Sequence, residues 1–466
     1  MDKENGNMFR LDSDKPVEFC DGLRRRDFLH AGTLPFLGFG LTQFFAAKAM
    51  GAVDTSKSDV NCILLMLIGG PSQLDTFDMK PNAPSEIRGP YKPIKTNVSG
   101  IEISENFPRV AKHADKFSIV RSMYHNAAAV HDTGHQMVQT GRLFQGGIEY
   151  PSIGSVLGKL RGPKGDVPPY VLLPRPIGAT GGNMPHGHAG GFLGKSNDPF
   201  ILNADPADPN FRVPDLLPPD YLSAHRVDRR KDWRAMIDRS VSKFETSQDA
   251  RLLDGTFQQA YTLMSSQKAR EAFELHKEPE AVRQKYGMNR FGQSCLLARR
   301  MIEAGVRYVT VNMFETVFDE ITWDIHGSKP FSPISCYRDL VGPMFDMAYS
   351  SLLEELSQRG LLSNTMVIAS GEFGRTPKVN PAGGRDHWPM CWSMLAGGGP
   401  LKGGKIVGSS DEIGAMPKDR PTTPAELAAT IYKGLGVDLH TELPGVQGRP
   451  IPLVDRGVEP IAELFS

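Results

Sequence analysis

The sequence predicts an α/β fold: a doubly wound, mostly parallel sheet with helices on both faces. Three observations carry that expectation. Short apolar runs alternate with helical patterns along the chain, the order that βαβ units require. The central runs are apolar throughout rather than alternating, as in strands buried on both faces. The first and the Thr365–Ala369 run stop at glycine before loops that hold charged groups, and an open α/β sheet binds its ligands in the crevice beyond the carboxyl ends of its strands.

The elements follow in order. Leu23 to Leu29 carries an Arg-Arg-x-Phe-Leu pattern, Thr33 to Ala47 is a weakly apolar run too short to span a membrane, and Ala47-Lys48-Ala49 is a small-x-small cleavage site. Residues 1–49 therefore read as a twin-arginine signal, and the chain as a periplasmic or otherwise exported protein with no stable span after cleavage. Residues 50–466 read as one domain. Asp59–Ile68 is the first central strand, ending in Gly69-Gly70-Pro71 before a loop with Ser72, Asp75, Thr76 and Asp78, whose acids either ligate or cap turns. Phe107, Val110, Ala111 and Ala114 recur at helical spacing, and Phe117–Arg121 is the second strand. Asp132 or Thr133 can cap a helix running to Gly141, which puts His131 and His135 near its positive N-terminus. Tyr170–Leu173 is a third strand, followed by a glycine-rich segment with His186 and His188.

At about 203–299 the pattern turns to a mostly helical insertion, with helices at 229–244 and 248–266 and a basic run from Arg226 to Arg234 that reads as a solvated face. Phe291–Glu303 is a helix closed by Gly305, and Val306–Asn312 a strand whose following loop carries Asp324-Ile325-His326. Pro343–Arg359 is a helix closed by Gly360. The Thr365–Ala369 strand leads into Glu372, Arg375, Asp386 and His387. Cys391–Ala396 is a further strand, and Thr423-Pro424-Ala425-Glu426 a capping box for a helix to Gly434.

Composition narrows the function. Lys plus Arg and Asp plus Glu both number 53, so no overall field recruits nucleic acid. Five cysteines without Cys-x-x-Cys spacing argue against a disulfide framework. Asp324, His326, Glu372 and His387 all follow or flank strand ends and would converge at one end of a parallel sheet. Carboxylates with imidazoles suit a divalent metal such as Zn, Mn, Mg or Ca, which can polarise a phosphoryl or sulfuryl oxygen. The alternative is that Asp324 pairs with Arg338 or Arg375 while His387 only hydrogen-bonds.

Five motifs together resemble the bacterial family called domain of unknown function 1501: Gly69-Gly70-Pro-Ser-x-x-Asp75-Thr, Trp323-Asp324-x-His326, Gly371-Glu-Phe-Gly-Arg-Thr-Pro377, Gly384-Arg-Asp-His-Trp-Pro389 and Thr423-Pro-x-x-Leu-Ala-Ala-Thr-Ile-Tyr432. That family is placed with the alkaline phosphatase and sulfatase superfamily, so the resemblance implies a sulfatase-like, metal-dependent phospho- or sulfo-hydrolase fold. It implies Asp324, His326 and His387 as metal ligands, with Glu372 and Asp75 as further ones. Phe373 stands where the superfamily has a second imidazole. His131-Asp-Thr133-Gly-His135, before Thr140-Gly141-Arg142, is similar to the sulfatase nucleophile element, with His131 at the nucleophile position and His135 at that of an Arg. With no Cys or Ser there, formylglycine chemistry is excluded, and three options stand: Thr133 attacks, His131 acts as nucleophile or base, or the site binds without turnover. Arg375 could hold an anionic oxygen through its planar fork. The expected substrate is a small anionic ester or a sulfated or phosphorylated carbohydrate. The competing readings are a noncatalytic carbohydrate- or anion-binding envelope protein that retains the fold, and a purely structural one.

Overall fold

The computed structural model describes residues 59–178, 180, 185–213, 229, 266–318 and 320–466, together with two short strands, Thr33–Leu34 and Phe39–Gly40, that pair antiparallel. The signal read at 1–49 otherwise lies outside the described residues. So do the helices read at 229–244 and 248–266 and the basic run, apart from residues 229 and 266.

Eight strands form one sheet. In chain order they are β1 (Asn61–Met66), β2 (Phe117–Met123), β3 (Tyr170–Leu173), β4 (Phe200–Ile201), β5 (Tyr308–Asn312), β6 (Thr365–Ser370), β7 (Trp392–Gly398) and β8 (Ile406–Val407). They stand side by side as β8-β2-β7-β6-β1-β5-β3-β4. The run from β6 through β1, β5 and β3 to β4 is parallel, β7 is antiparallel to both β6 and β2, and β8 is parallel to β2. Every residue of β1, β3, β5, β6 and β7 is buried, so both faces of the sheet are covered, which is why the first strand and the Thr365–Ala369 strand read as apolar runs. The expected α/β, mostly parallel sheet is the one observed.

Among the described residues five longer helices surround it: α1 (His131–Thr140), α2 (Ile153–Arg161), α3 (Arg290–Ala304), α4 (Gly342–Gln358) and α5 (Pro424–Gly434). α1 packs on α5 and α3 on α4. Local chemistry sets their ends. Asn289 Oδ1 accepts from Gly292 N at 2.9 Å to start α3, and Thr423 and Glu426 close the expected capping box on α5. The segment read at helical spacing holds a 3-10 helix, Val110–Lys116. One local expectation is corrected: neither Asp132 nor Thr133 caps α1, whose N-cap is Val130 with no side-chain bond. The helix starts at His131 itself, so both histidines lie inside it. Cys62, Cys295, Cys336 and Cys391 are free and buried. Among the described residues no helix is long and apolar enough to cross a membrane.

The topology gathers loops at one end. Met66 pairs with Ser370 and with Asn312, so β1, β6 and β5 finish level with one another. Because β7 is reversed, its first residue lies at that same end, where Trp392 pairs with Met123 at the end of β2. Gly69, at φ 107°, lets the β1 loop touch the β5 loop: a Cβ there would lie 2.5 Å from Asp324 N.

Candidate metal centre

Asp324 is the hub of the cluster. Its carboxylate is fully buried, and Oδ1 lies 3.0 Å from His326 Nε2 and 3.3 Å from His387 Nε2, while the two Nε2 atoms are 3.1 Å apart. On the far side of each ring Nδ1 has an acceptor: Asp386 Oδ1 at 2.9 Å for His326 and the Ala129 carbonyl at 2.8 Å for His387. A ring whose Nδ1 donates to such an acceptor keeps Nε2, in its neutral form, as the lone-pair nitrogen, and both Nε2 atoms face Asp324. For His387 the neutral form is favoured, since burial, opposed by the neighbouring Asp324 carboxylate and reinforced by the Arg375 charge, lowers its pKa. Two lone pairs and a carboxylate oxygen thus converge on one point.

The donor set fits a cation. A tetrahedral Zn²⁺ with bonds of about 2.0–2.1 Å has ligand-to-ligand edges of roughly 3.3 Å, close to the three distances above. Tying the outer nitrogen of a ligating imidazole to a carboxylate or carbonyl is the usual way such a ring is oriented. Burial raises the Asp324 pKa, but the Arg375 charge, aided by the imidazoles of His131, His326 and His387 around it, outweighs that and holds the carboxyl well below the usual range. Asp324 is ionised.

A second group adjoins the first. His131 Nε2 faces Asp324 Oδ2 at 3.4 Å, and its Nδ1 faces Glu372 Oε1 at 2.5 Å. Glu372, also fully buried, accepts from Gly69 N at 2.9 Å and has His135 Nε2 3.4 Å from Oε2. Burial raises the Glu372 pKa too, but the His135 charge and the His131 hydrogen bond win, so it stays below the usual range. His131 and His135, four residues apart, share one face of α1. Phe373, fully buried, packs its ring 5.0 Å from that of His131 and 4.5 Å from that of His387 and makes the dry wall of the site.

A model of the family described as protein of unknown function (DUF1501) matches residues 59–465. The chain belongs to that family. No curated protein matches it. Among solved structures it is similar to a sulfatase from a Pseudoalteromonas species (13% identity, TM-score 0.35, 85% of this chain and 71% of that one). It is also similar to a protein in the alkaline phosphatase superfamily from Vibrio parahaemolyticus (10%, 0.38, 87% and 80%) and to a phosphonate monoester hydrolase of Agrobacterium radiobacter (10%, 0.33, 87% and 77%).

In this DUF1501 chain the predicted site residues are unevenly gathered. Asp324, His326, His387, Glu372, His131 and His135 come together. Asp75 does not: the one-turn 3-10 helix Gln73–Asp75 aims it at Arg385, whose Nε donates to Asp75 Oδ2 at 2.7 Å, and Ser72 Oγ donates to the same oxygen at 2.5 Å. Thr133, half-buried, stands about 200° around α1 from His131 and so on another face. Arg375 is present but fully engaged. Its guanidinium is buried and donates to Gly69 O, Gly70 O, Arg385 O and Asp324 Oδ1, with a last contact of 3.5 Å to His326 Nε2. It positions Asp324 and has no donor left for a substrate oxygen, so the pairing of Asp324 with Arg375 is the one realised. Sequence reasoning missed Asp386 as the partner of His326, although an acid beside a candidate ligand was a visible signal. The role of Phe373 as a wall left no signal beyond its apolarity.

Proposed function

We propose that this chain is an exported, metal-dependent hydrolase of phosphate or sulfate esters, with Asp324, His326 and His387 holding a divalent cation. The observation that carries the reading is the convergence of two imidazole lone pairs on one oxygen of a buried, ionised carboxylate. Nitrogen donors beside a carboxylate favour Zn²⁺ or Mn²⁺ over Mg²⁺ or Ca²⁺. When bound, such a cation acts as a Lewis acid on an ester oxygen.

The chain's own residues do the rest. Arg375 and the bonds to Asp324 keep its carboxylate charged without a proton. Asp386 and the Ala129 carbonyl keep the Nε2 atoms of His326 and His387 bare. Those two rings, each about a fifth exposed, are the open side through which an ester enters, while Phe373 excludes water behind them. In this reading the attacking group is water, because Thr133 occupies a different helix face and Arg375 supplies position rather than a grip on the substrate.

Elemental analysis of the exported protein purified without chelator, beside His387→Ala, tests the proposal. At least one equivalent of Zn or Mn, lost in the variant, together with hydrolysis of aryl phosphate or aryl sulfate esters that falls with it, is the expected result. Bound metal with no turnover on either ester class would move the chain to the anion-binding reading. No metal, even after addition, would overturn both.

A further inference from the structure

We propose that His131 bridges two cation sites, its Nε2 completing the Asp324–His387 site and its Nδ1 forming, with His135 and Glu372, a second and deeper site for a divalent cation of the Zn²⁺ class. The inference rests on the metal-dependent reading of the first site and extends it.

The geometry comes from two triads that share one ring. Ligand atoms of His131, His135 and Glu372 lie within 4.8 Å of one another, and so do those of His131, Asp324 and His387. His131 serves each triad with a different nitrogen: Nδ1 lies 2.5 Å from Glu372 and Nε2 lies 3.4 Å from Asp324. One ring can do both as an imidazolate: its two nitrogens point to opposite sides, and the proton that a neutral imidazole keeps on one of them is released to solvent as the second cation binds.

Unsatisfied polar atoms point the same way. His135 is fully buried, and neither of its ring nitrogens has a hydrogen-bond partner; nor do Glu372 Oε2, Asp324 Oδ2 and His131 Nε2. Buried polar atoms are ordinarily paired, so five within one cluster call for something in it. The rival arrangement is a doubly protonated His131 held between two carboxylates. That would serve His131 and its two neighbours and leave both nitrogens of His135 and Glu372 Oε2 unmet, whereas a cation among His131, His135 and Glu372 takes up one lone pair from each. The Gly69 N–H on Glu372 Oε1 fixes the carboxylate in place for the task. With both cations bound, neither nitrogen of His131 is free to act as nucleophile or base.

Metal-free full-length chain titrated with Zn²⁺ tests this, with circular dichroism to show that each variant is folded. Two equivalents are expected for the wild type and one for Glu372→Gln and His135→Gln. Loaded instead with Cu²⁺, the wild type should show magnetically coupled copper by electron paramagnetic resonance, and Glu372→Gln or His131→Gln the uncoupled signal of a single Cu²⁺. One equivalent in the wild type that survives in Glu372→Gln overturns the bridge and leaves the hydrolase reading intact. Two equivalents without coupling also overturn the bridge, while zero equivalents overturn both readings.

Discussion

His125 lies just before the helix that carries two of the candidate ligands, buried against Trp392 with ring centroids 5.5 Å apart, and its Nδ1 accepts from Ala127 N at 3.2 Å. Burial lowers its pKa to about 4, so it is neutral in the fold and has to charge when the chain unfolds in mild acid. The unfolded state then binds the extra proton, and stability is fully present above the unfolded value of 6.5 and is lost as pH falls toward 4, by about 1.4 kcal/mol per pH unit in that window. Urea unfolding of His125→Phe should lose part of the wild-type pH slope between those limits. An unchanged slope would remove His125 from the account. At the metal centre, Asp386→Asn should weaken the first Zn²⁺ equivalent by about 10–100-fold, the usual cost of losing the outer partner of a ligating imidazole, as read by calorimetry. Arg375→Met should destabilise the fold by about 3–5 kcal/mol, because it leaves buried Asp324 without its counter-charge. A variant within 1 kcal/mol of wild type, on the same scale, would contradict that role. Much at this scale was legible. Asp324, His326, Glu372 and His387 could be named because acids and imidazoles beside strand ends have few other uses. Asp75 looked equivalent in sequence, and only the direction of a single 3-10 turn sends it to Arg385 instead.

α1 is the element that decides whether the two halves of the site meet. Gly134 sits between its histidines against the Glu372 backbone: a Cβ there would lie 2.5 Å from Glu372 O and 2.8 Å from its Cβ. Gly134→Ala should therefore push the helix away from Glu372 at a cost of about 1–3 kcal/mol, and the second Zn²⁺ equivalent should be lost before the first. Retention of both equivalents at wild-type stability would show that the contact is not tight. The helix was legible from its Gly141 end and its histidine spacing. Its start was not, because Asp132 and Thr133 are good caps by type while Val130, the observed N-cap, carries no polar atom, and contact with Glu372 can override such a local preference. The central strands were legible to within a few residues because burial on both faces makes them rich in apolar and β-branched residues. The 107–114 stretch was legible as helical but not as to type, since three-residue and four-residue spacings serve a 3-10 and an α-helix alike.

Across the whole molecule, cations bound by ligands from the β5, β6 and β7 loops and from α1 would tie together parts of the chain far apart in sequence. Chelation should lower the unfolding temperature, with a linkage of about 2.7 kcal/mol when free cation stands a hundredfold above Kd; identical melting with and without chelator would argue that no such tie exists. The fold class was legible from the alternation of strands and helices. The strand order was not, and neither was the reversal of β7, because an apolar run carries no sign of its direction. That reversal bears on how the protein is made. β7 inserts between β2 and β6, and His387 arrives on the segment just before it, so a nascent chain can hold Asp324 and Glu372 while their partner is still unsynthesised. Until β7 is placed, β2 and β6 each present an open edge able to pair with other chains. The cluster is thus closed by one of the last core strands to be translated, and a cation that needs His387 would have to be taken up by the finished chain rather than during its synthesis.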